Sequence, residues 1–274
     1  MMNLTRQRSL LSLSLLISAS LLYTQVAAQG FQWEAGAGMV VADLPLYPGS
    51  SQTSSYVIPF PYLRIESEYL DIDQGVKSKL FKSSNLRFSL SGGLGVPVNS
   101  EDSDIRTGMP DLDLVLQIGP SLDIIFDNNK KDAREWRMEL PLRVAIATDL
   151  KQTQNIGWLL EPRLVYESNR LRKAGWAYEF TAGIRFATDK YHAYYYDVEP
   201  QYATQVRPAF ESSSGYSGAL SNLVASWRNN NLIYFAWLRY QYLAGATYED
   251  SPLVEQDDYF SIGIGLNWIF AESL

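Results

Sequence analysis

Residues 259–270 read Tyr-Phe-Ser-Ile-Gly-Ile-Gly-Leu-Asn-Trp-Ile-Phe. Phe260, Ile262, Ile264, Leu266, Trp268 and Phe270 fall on one side of an extended chain, against Tyr259, Ser261, Gly263, Gly265, Asn267 and Ile269 on the other. Successive side chains of a strand point to opposite faces, so this period of two predicts a strand with one wholly apolar face. The pattern recurs. Leu86, Phe88, Leu90, Gly92, Leu94 and Val96 oppose Arg87, Ser89, Ser91, Gly93 and Gly95. The faces led by Trp136, Trp158 and Trp176 likewise alternate through 136–147, 156–167 and 176–187.

No residue on these apolar faces is charged, whereas the opposing faces carry Arg87, Arg137, Glu139, Arg143, Glu161, Arg163, Glu167, Glu179 and Arg185. A soluble sandwich with its apolar face inward would show the same asymmetry. Two features favour a membrane. The faces run about 11 residues, the length a tilted strand needs to cross the hydrocarbon layer. Aromatic residues (Trp136, Trp158, Trp176, Trp268 and Phe270 foremost) sit near the ends of the faces, as an interfacial girdle requires. The expected fold is therefore an all-β, transmembrane, antiparallel up-and-down barrel. Weaker strands are expected over 31–43, 57–67, 69–81, 109–126, 190–198, 218–229 and 231–246, for about 12 in all, with 10 or 14 left open.

Outward from these strands, the chain begins with an export signal. Arg6 and Arg8 precede the apolar run Leu10 to Leu22, and Val26-Ala27-Ala28 offers small residues for a peptidase. The expected organisation is a signal over 1–28, cleaved near Ala28, and a barrel over 29–274, which places the protein in the outer membrane of a Gram-negative cell. Removing the two signal arginines leaves 21 basic and 30 acidic residues, a net charge of −9. Phosphate backbones need clustered Lys and Arg, so nucleic acid is excluded as a partner. Without cysteine, no disulfide framework is available.

If both termini are periplasmic, loops near 44–56, 128–134, 168–175, 199–217 and 247–257 are expected outside. Asp189-Lys190 and Asn229-Asn230-Asn231 then form tight periplasmic turns, and 99–108 is a longer periplasmic connection that could meet a partner protein. The inward charges, with Arg239 added, either line a pore or pair and close it; about 12 strands leave little free lumen once long side chains fill it. His192 is the one histidine, with no serine in its own expected strand, and Ser212-Ser213-Ser214 read as a flexible tip. No catalytic, cofactor or metal site is expected. Glu249, Asp250, Glu255, Asp257 and Asp258 lack EF-hand spacing and read as a solvated acidic rim. The run Tyr191, Tyr194, Tyr195, Tyr196 and Tyr202 is expected to span an interfacial belt and a loop base.

Several motifs resemble the MipA/OmpV family of outer-membrane proteins. These are Tyr47-Pro48-Gly49-Ser50, Pro59-Phe60-Pro61-Tyr62, Arg106-Thr107-Gly108-Met109-Pro110-Asp111-Leu112-Asp113, Gly119-Pro120 and Asp250-Ser251-Pro252-Leu253-Val254, in the family's order. The resemblance implies a barrel without catalysis. Its expected surroundings are membrane lipid and lipopolysaccharide. It also implies a scaffold or interaction role towards murein enzymes, since one member is understood to link a lytic transglycosylase to a murein synthase. A narrow porin-like channel or a surface adhesin are the alternatives within the family.

Overall fold

The structure is a computed structural model describing residues 32–66, 70–72, 76–78, 85–129, 133–169 and 174–273. The expected signal peptide lies outside them. Among the described residues thirteen antiparallel strands form one sheet: β1 Gln32–Pro45, β2 Thr53–Glu66, β3 Leu70–Ile72, β4 Val76–Ser78, β5 Leu86–Gly95, β6 Leu114–Asn129, β7 Arg134–Thr148, β8 Thr153–Leu160, β9 Arg163–Ser168, β10 Gly175–Ala187, β11 Gly215–Asn229, β12 Leu232–Tyr242 and β13 Asp258–Glu272. The hydrogen-bonded path runs from β4 through β1 and β13 round to β5. Its two ends, β4 and β5, lie side by side. First and last long strands meet in register, from Glu34 opposite Glu272 to Asp43 opposite Ile262. The sheet is thus rolled into an up-and-down barrel.

β8 and β9 are two halves of one crossing. Both pair with β7 and with β10, and they are separated only by Glu161-Pro162. Pro162 has no N–H to give to a ladder, so the interruption falls where the sequence dictates it.

The apolar faces point outward. Phe260, Ile262, Ile264, Trp268 and Phe270 are 50–60% exposed, and Leu94, Val57 and Trp176 are comparable. A protein that left these groups to water would forgo the main driving force of folding, so hydrocarbon is their solvent. Aromatic pairs mark both edges of the apolar band. At the end holding the termini are Trp136 against Tyr166, Trp227 against Tyr234 and Trp268 against Phe270. At the other end are Phe186 with Tyr216 and Tyr240 with Phe260. Trp158 is also exposed, towards that second end.

Several expectations are corrected. Residues 190–198 are not a strand: Asp189–Tyr196 form helix α1. Their tyrosines suggested a strand by propensity, but the adjacent residues Tyr191 and His192, and again Tyr195 and Tyr196 one helical turn on, bury together, which a period of two cannot do. The same residues therefore belong to a buried core and not to an interfacial belt. Asp189-Lys190 open α1 and make no periplasmic turn.

The loss of that crossing reverses the expected side of the connections between β5 and α1, whereas 44–56 stays outside as expected because β3 and β4 run in opposite directions where one strand was expected. Residues 99–108 lie at the end opposite the termini, with 46–52, 188–214 and 243–257, whereas β6 passes to β7 and β9 to β10 at the termini's end. Short turns face the periplasm and long loops the outside, so the long loops form the outer face. The expected strand 69–81 is represented by the short β3 and β4, its remainder lying outside the described residues. Finally, a bulge at Gly157, with φ +117°, turns Ile156 inward, where it is 1% exposed, while Trp158 keeps the outward face.

Candidate functional site

Two structures fill the barrel: a cap over the outer mouth and a charged lumen beneath it. The cap is stitched from four loops and α1. Its core contains Leu46, Tyr47, Val98, Leu112, Tyr191, Tyr195, Tyr196, Val198, Leu243, Tyr248 and Leu253, each at most 7% exposed.

The family-like motifs converge here. Tyr47 Oη donates to Leu253 O at 2.9 Å, and Tyr196 Oη donates to Pro48 O at 3.1 Å. Ser251 Oγ donates to Tyr196 O at 2.7 Å. Gly49, at φ +91°, turns its carbonyl to accept from the amides of Glu255 and Gln256. Burial first, then the carboxylate of Glu255, pushes the Tyr47 phenol up to about 12, so it stays a donor.

Two buried arginines with no acid within ion-pair distance among the described residues clamp backbone carbonyls instead. Arg106 donates to Tyr195 O and Pro110 O and stands over the Tyr47 ring, 5.5 Å from its centroid. Arg207 donates to Ile105 O, Thr107 O and Tyr202 O at 2.6–3.1 Å. Each clamp satisfies carbonyls that a loop fold leaves without ladder partners.

His192 is fully buried in the cap. Its Nδ1 lies 2.7 Å from Ser213 O and 3.2 Å from Thr247 Oγ1. Burial holds its pKa below the usual histidine value. Ser212 to Ser214, expected to be a free tip, are fastened: the Ser212 amide donates to Asp197, and Ser214 Oγ accepts from the Asp189 amide. Of the acidic rim, Glu255 accepts from Ser50 and Ser51, and Asp258 accepts from Tyr240. Among the described residues no three acids or histidines are grouped to hold a metal.

Below the cap, one wall carries a continuous ion-pair chain. Arg87 bridges Asp123 and Glu135, each at 2.9 Å. Arg137 joins Glu135, Glu139 and Glu167 at 3.3, 2.7 and 2.8 Å. Arg163 links Glu139 to Glu161, and Glu161 also receives Arg143 at 2.8 Å and Arg185 at 2.7 Å. Asp123 and Glu135 are fully buried, which for a carboxylate requires such pairing. Thus Arg87, Arg137, Glu139, Arg143, Glu161, Arg163 and Arg185 come together in one network running up β5–β10. Glu179 lines the same lumen.

The facing wall is nearly uncharged. Trp237 lies over Gly263 and Phe60 over Gly38, where any side chain would collide with the rings. Phe60 and Phe235 meet edge to face, 6.2 Å apart, filling the lower lumen. Arg239 stands above them on β12, without an ion pair among the described residues. The remaining space is a cavity of about 470 Å³ under α1. The sequence signalled the charged wall through its alternation, but it held no sign that Arg106 and Arg207 clamp carbonyls.

The fold, its apolar belt and the filled lumen define an outer-membrane β-barrel protein. The family of the MltA-interacting protein MipA matches residues 35–270, and the chain belongs to that family. Among solved structures it is similar to the NanC porin, with 8% identity, 86% of this chain and 98% of that chain covered, and a TM-score of 0.37. The translocator domain of the autotransporter NalP from Neisseria meningitidis aligns at 8% identity over 96% of this chain and 97% of its own, with a TM-score of 0.36. No curated protein matches the chain.

Proposed function

We propose that this protein is a non-enzymatic interaction protein of the outer membrane, which presents its periplasmic end to murein-remodelling enzymes. The observation that supports this reading is the filled interior. The cap covers the outer mouth, the ion-pair chain occupies one wall and aromatic rings the other, so the barrel offers surfaces in place of a wide pore. The family's description names an interaction with MltA, which favours a partner of that kind.

The surface available in the periplasm is the rim at the short turns. There Glu34 accepts from Arg228 at 2.7 Å and Arg64 lies 3.6 Å away, with Glu272 3.8 Å from Arg228. The protein extracted from native envelopes in mild detergent should retain a lytic transglycosylase or a murein synthase. A rim variant, Arg228→Glu, should release it while leaving the barrel folded. Recovery of the intact barrel without either enzyme, at low salt and after gentle cross-linking, refutes the reading.

A further inference from the structure

We propose that the upper lumen is a binding site for a small organic acid bearing a carboxylate and hydroxyl groups, with Arg239 as its anchor. The site rests on a local imbalance of charge. Five arginines but four glutamates line the cavity. Glu139, Glu167 and Glu179 cluster lower down around Arg137. At the top, the carboxylate acting on Arg239 across the lumen is Glu161. Its two oxygens already accept from Arg143, Arg163 and Arg185 at 2.7–3.2 Å. Arg239 itself makes no ion pair or hydrogen bond among the described residues, and it is exposed to the cavity. Three arginines already share that carboxylate, so Arg239 faces the cavity with no acid at ion-pair distance among the described residues, and an anion entering there would meet its open guanidinium.

A second, independent observation points to the same place. Tyr259 is 6% exposed and lines the cavity, yet its hydroxyl has no hydrogen-bond partner among the described residues. Arg143 is 4% exposed, and its Nε also lacks a partner. Buried polar atoms ordinarily find partners, so these two mark donors held ready for an occupant.

The register places the groups together. Arg239 is opposite Asn222 on β11 and Ser261 on β13, and Gln241 is opposite Tyr259, all on the inward face. Diagonal neighbours on adjacent strands stand about 7–8 Å apart, within reach of one small molecule. A planar guanidinium grips a carboxylate with two parallel hydrogen bonds. Asn222, Ser261, Gln241 and Tyr259 supply donors and acceptors suited to hydroxyls. The cavity's 470 Å³ falls in the range of sites for such molecules.

The test is calorimetric titration of the detergent-purified barrel with sodium gluconate, with glucose as a neutral comparison of similar size. Gluconate should bind at one site per barrel, and glucose should not. Arg239→Gln should weaken gluconate at least tenfold, Arg239→Lys less, and Tyr259→Phe severalfold. Lys151→Gln, in an exposed turn, should change nothing. All variants should first show the compact band of a folded barrel in cold detergent electrophoresis. No gluconate heat from the folded parent protein overturns the proposal, as does equal affinity in folded Arg239→Gln or equal binding of glucose.

Discussion

The ring of Tyr196 stacks on that of Tyr248, with centroids 3.8 Å apart and planes 8° from parallel. One ring comes from α1 and the other from the last outer loop, and both are 2% exposed or less. The Tyr248 hydroxyl further donates to Ser217 O at 3.0 Å. This pair fixes the helix that roofs the lumen.

Tyr248→Ala should therefore open the cap and spare the barrel. Removing a buried aromatic side chain costs about 3–5 kcal/mol. That loss should appear as fast hydrogen exchange of α1 and of residues 243–257, with strand amides still protected. Uniform loss of protection across the strands would show that cap and barrel are one cooperative unit.

Acid should loosen the same cap. His192 is neutral in the folded state, its pKa depressed by burial. Unfolding the cap returns the ring to about 6.5. Between the depressed value and that one, the unfolded cap binds more protons, so stability is present above about pH 6.5 and falls as pH drops below it. Asp189 and Asp197 near the ring oppose this trend and Arg185 reinforces it. Limited proteolysis of the outer loops should accelerate between neutral and mildly acid pH, and His192→Gln should flatten that profile.

Glu161→Gln removes the carboxylate that three arginines share. Stranding buried cations is expected to cost about 3–5 kcal/mol, read from the urea midpoint of the refolded barrel in vesicles. The double change Glu161→Gln with Arg185→Gln should recover part of that loss. An unchanged midpoint in the single variant would mean that lumen water screens the network.

Charge on the outer band should be costly in a depth-dependent way. Ile264 is 60% exposed in the middle of β13, so Ile264→Arg should destabilise vesicle-embedded protein by about 2–4 kcal/mol. Leu150, 85% exposed in the tight turn after β7, should tolerate arginine with little effect. Equal penalties at both positions would contradict a lipid-facing band.

How far the sequence went is clearest in two pairs of segments. In β13 and β7, alternation alone assigned every outward and inward residue, because a strand wall between lipid and a polar lumen enforces a period of two at each position. The stretch 190–198 failed for the opposite reason. Within the cap no such wall exists, and tyrosine serves a helix core as readily as a strand. That misreading, together with the single strand expected where β3 and β4 form a hairpin, displaced 99–108 to the wrong side, since each crossing reverses the direction of the next. The charges of the ion-pair chain were legible as inward, but their partners were not. Glu161 meets Arg143 and Arg185 through neighbouring strands, a relation that only register supplies. Nothing local to Arg239 distinguished it from the arginines that are paired.

The cap has a consequence for biogenesis. Ser50 and Glu255, 205 positions apart, meet at its seam, and Tyr47 reaches Leu253 across 206. Such contacts wait until β1 and β13 have zipped together, because loop closure over that span is entropically expensive until the strands bring the ends close. A half-assembled cylinder is consequently lidless. Sealing of the roof reports that insertion is finished, and a nascent barrel stalled in the membrane would betray itself to surface proteases through the very loops that maturity hides.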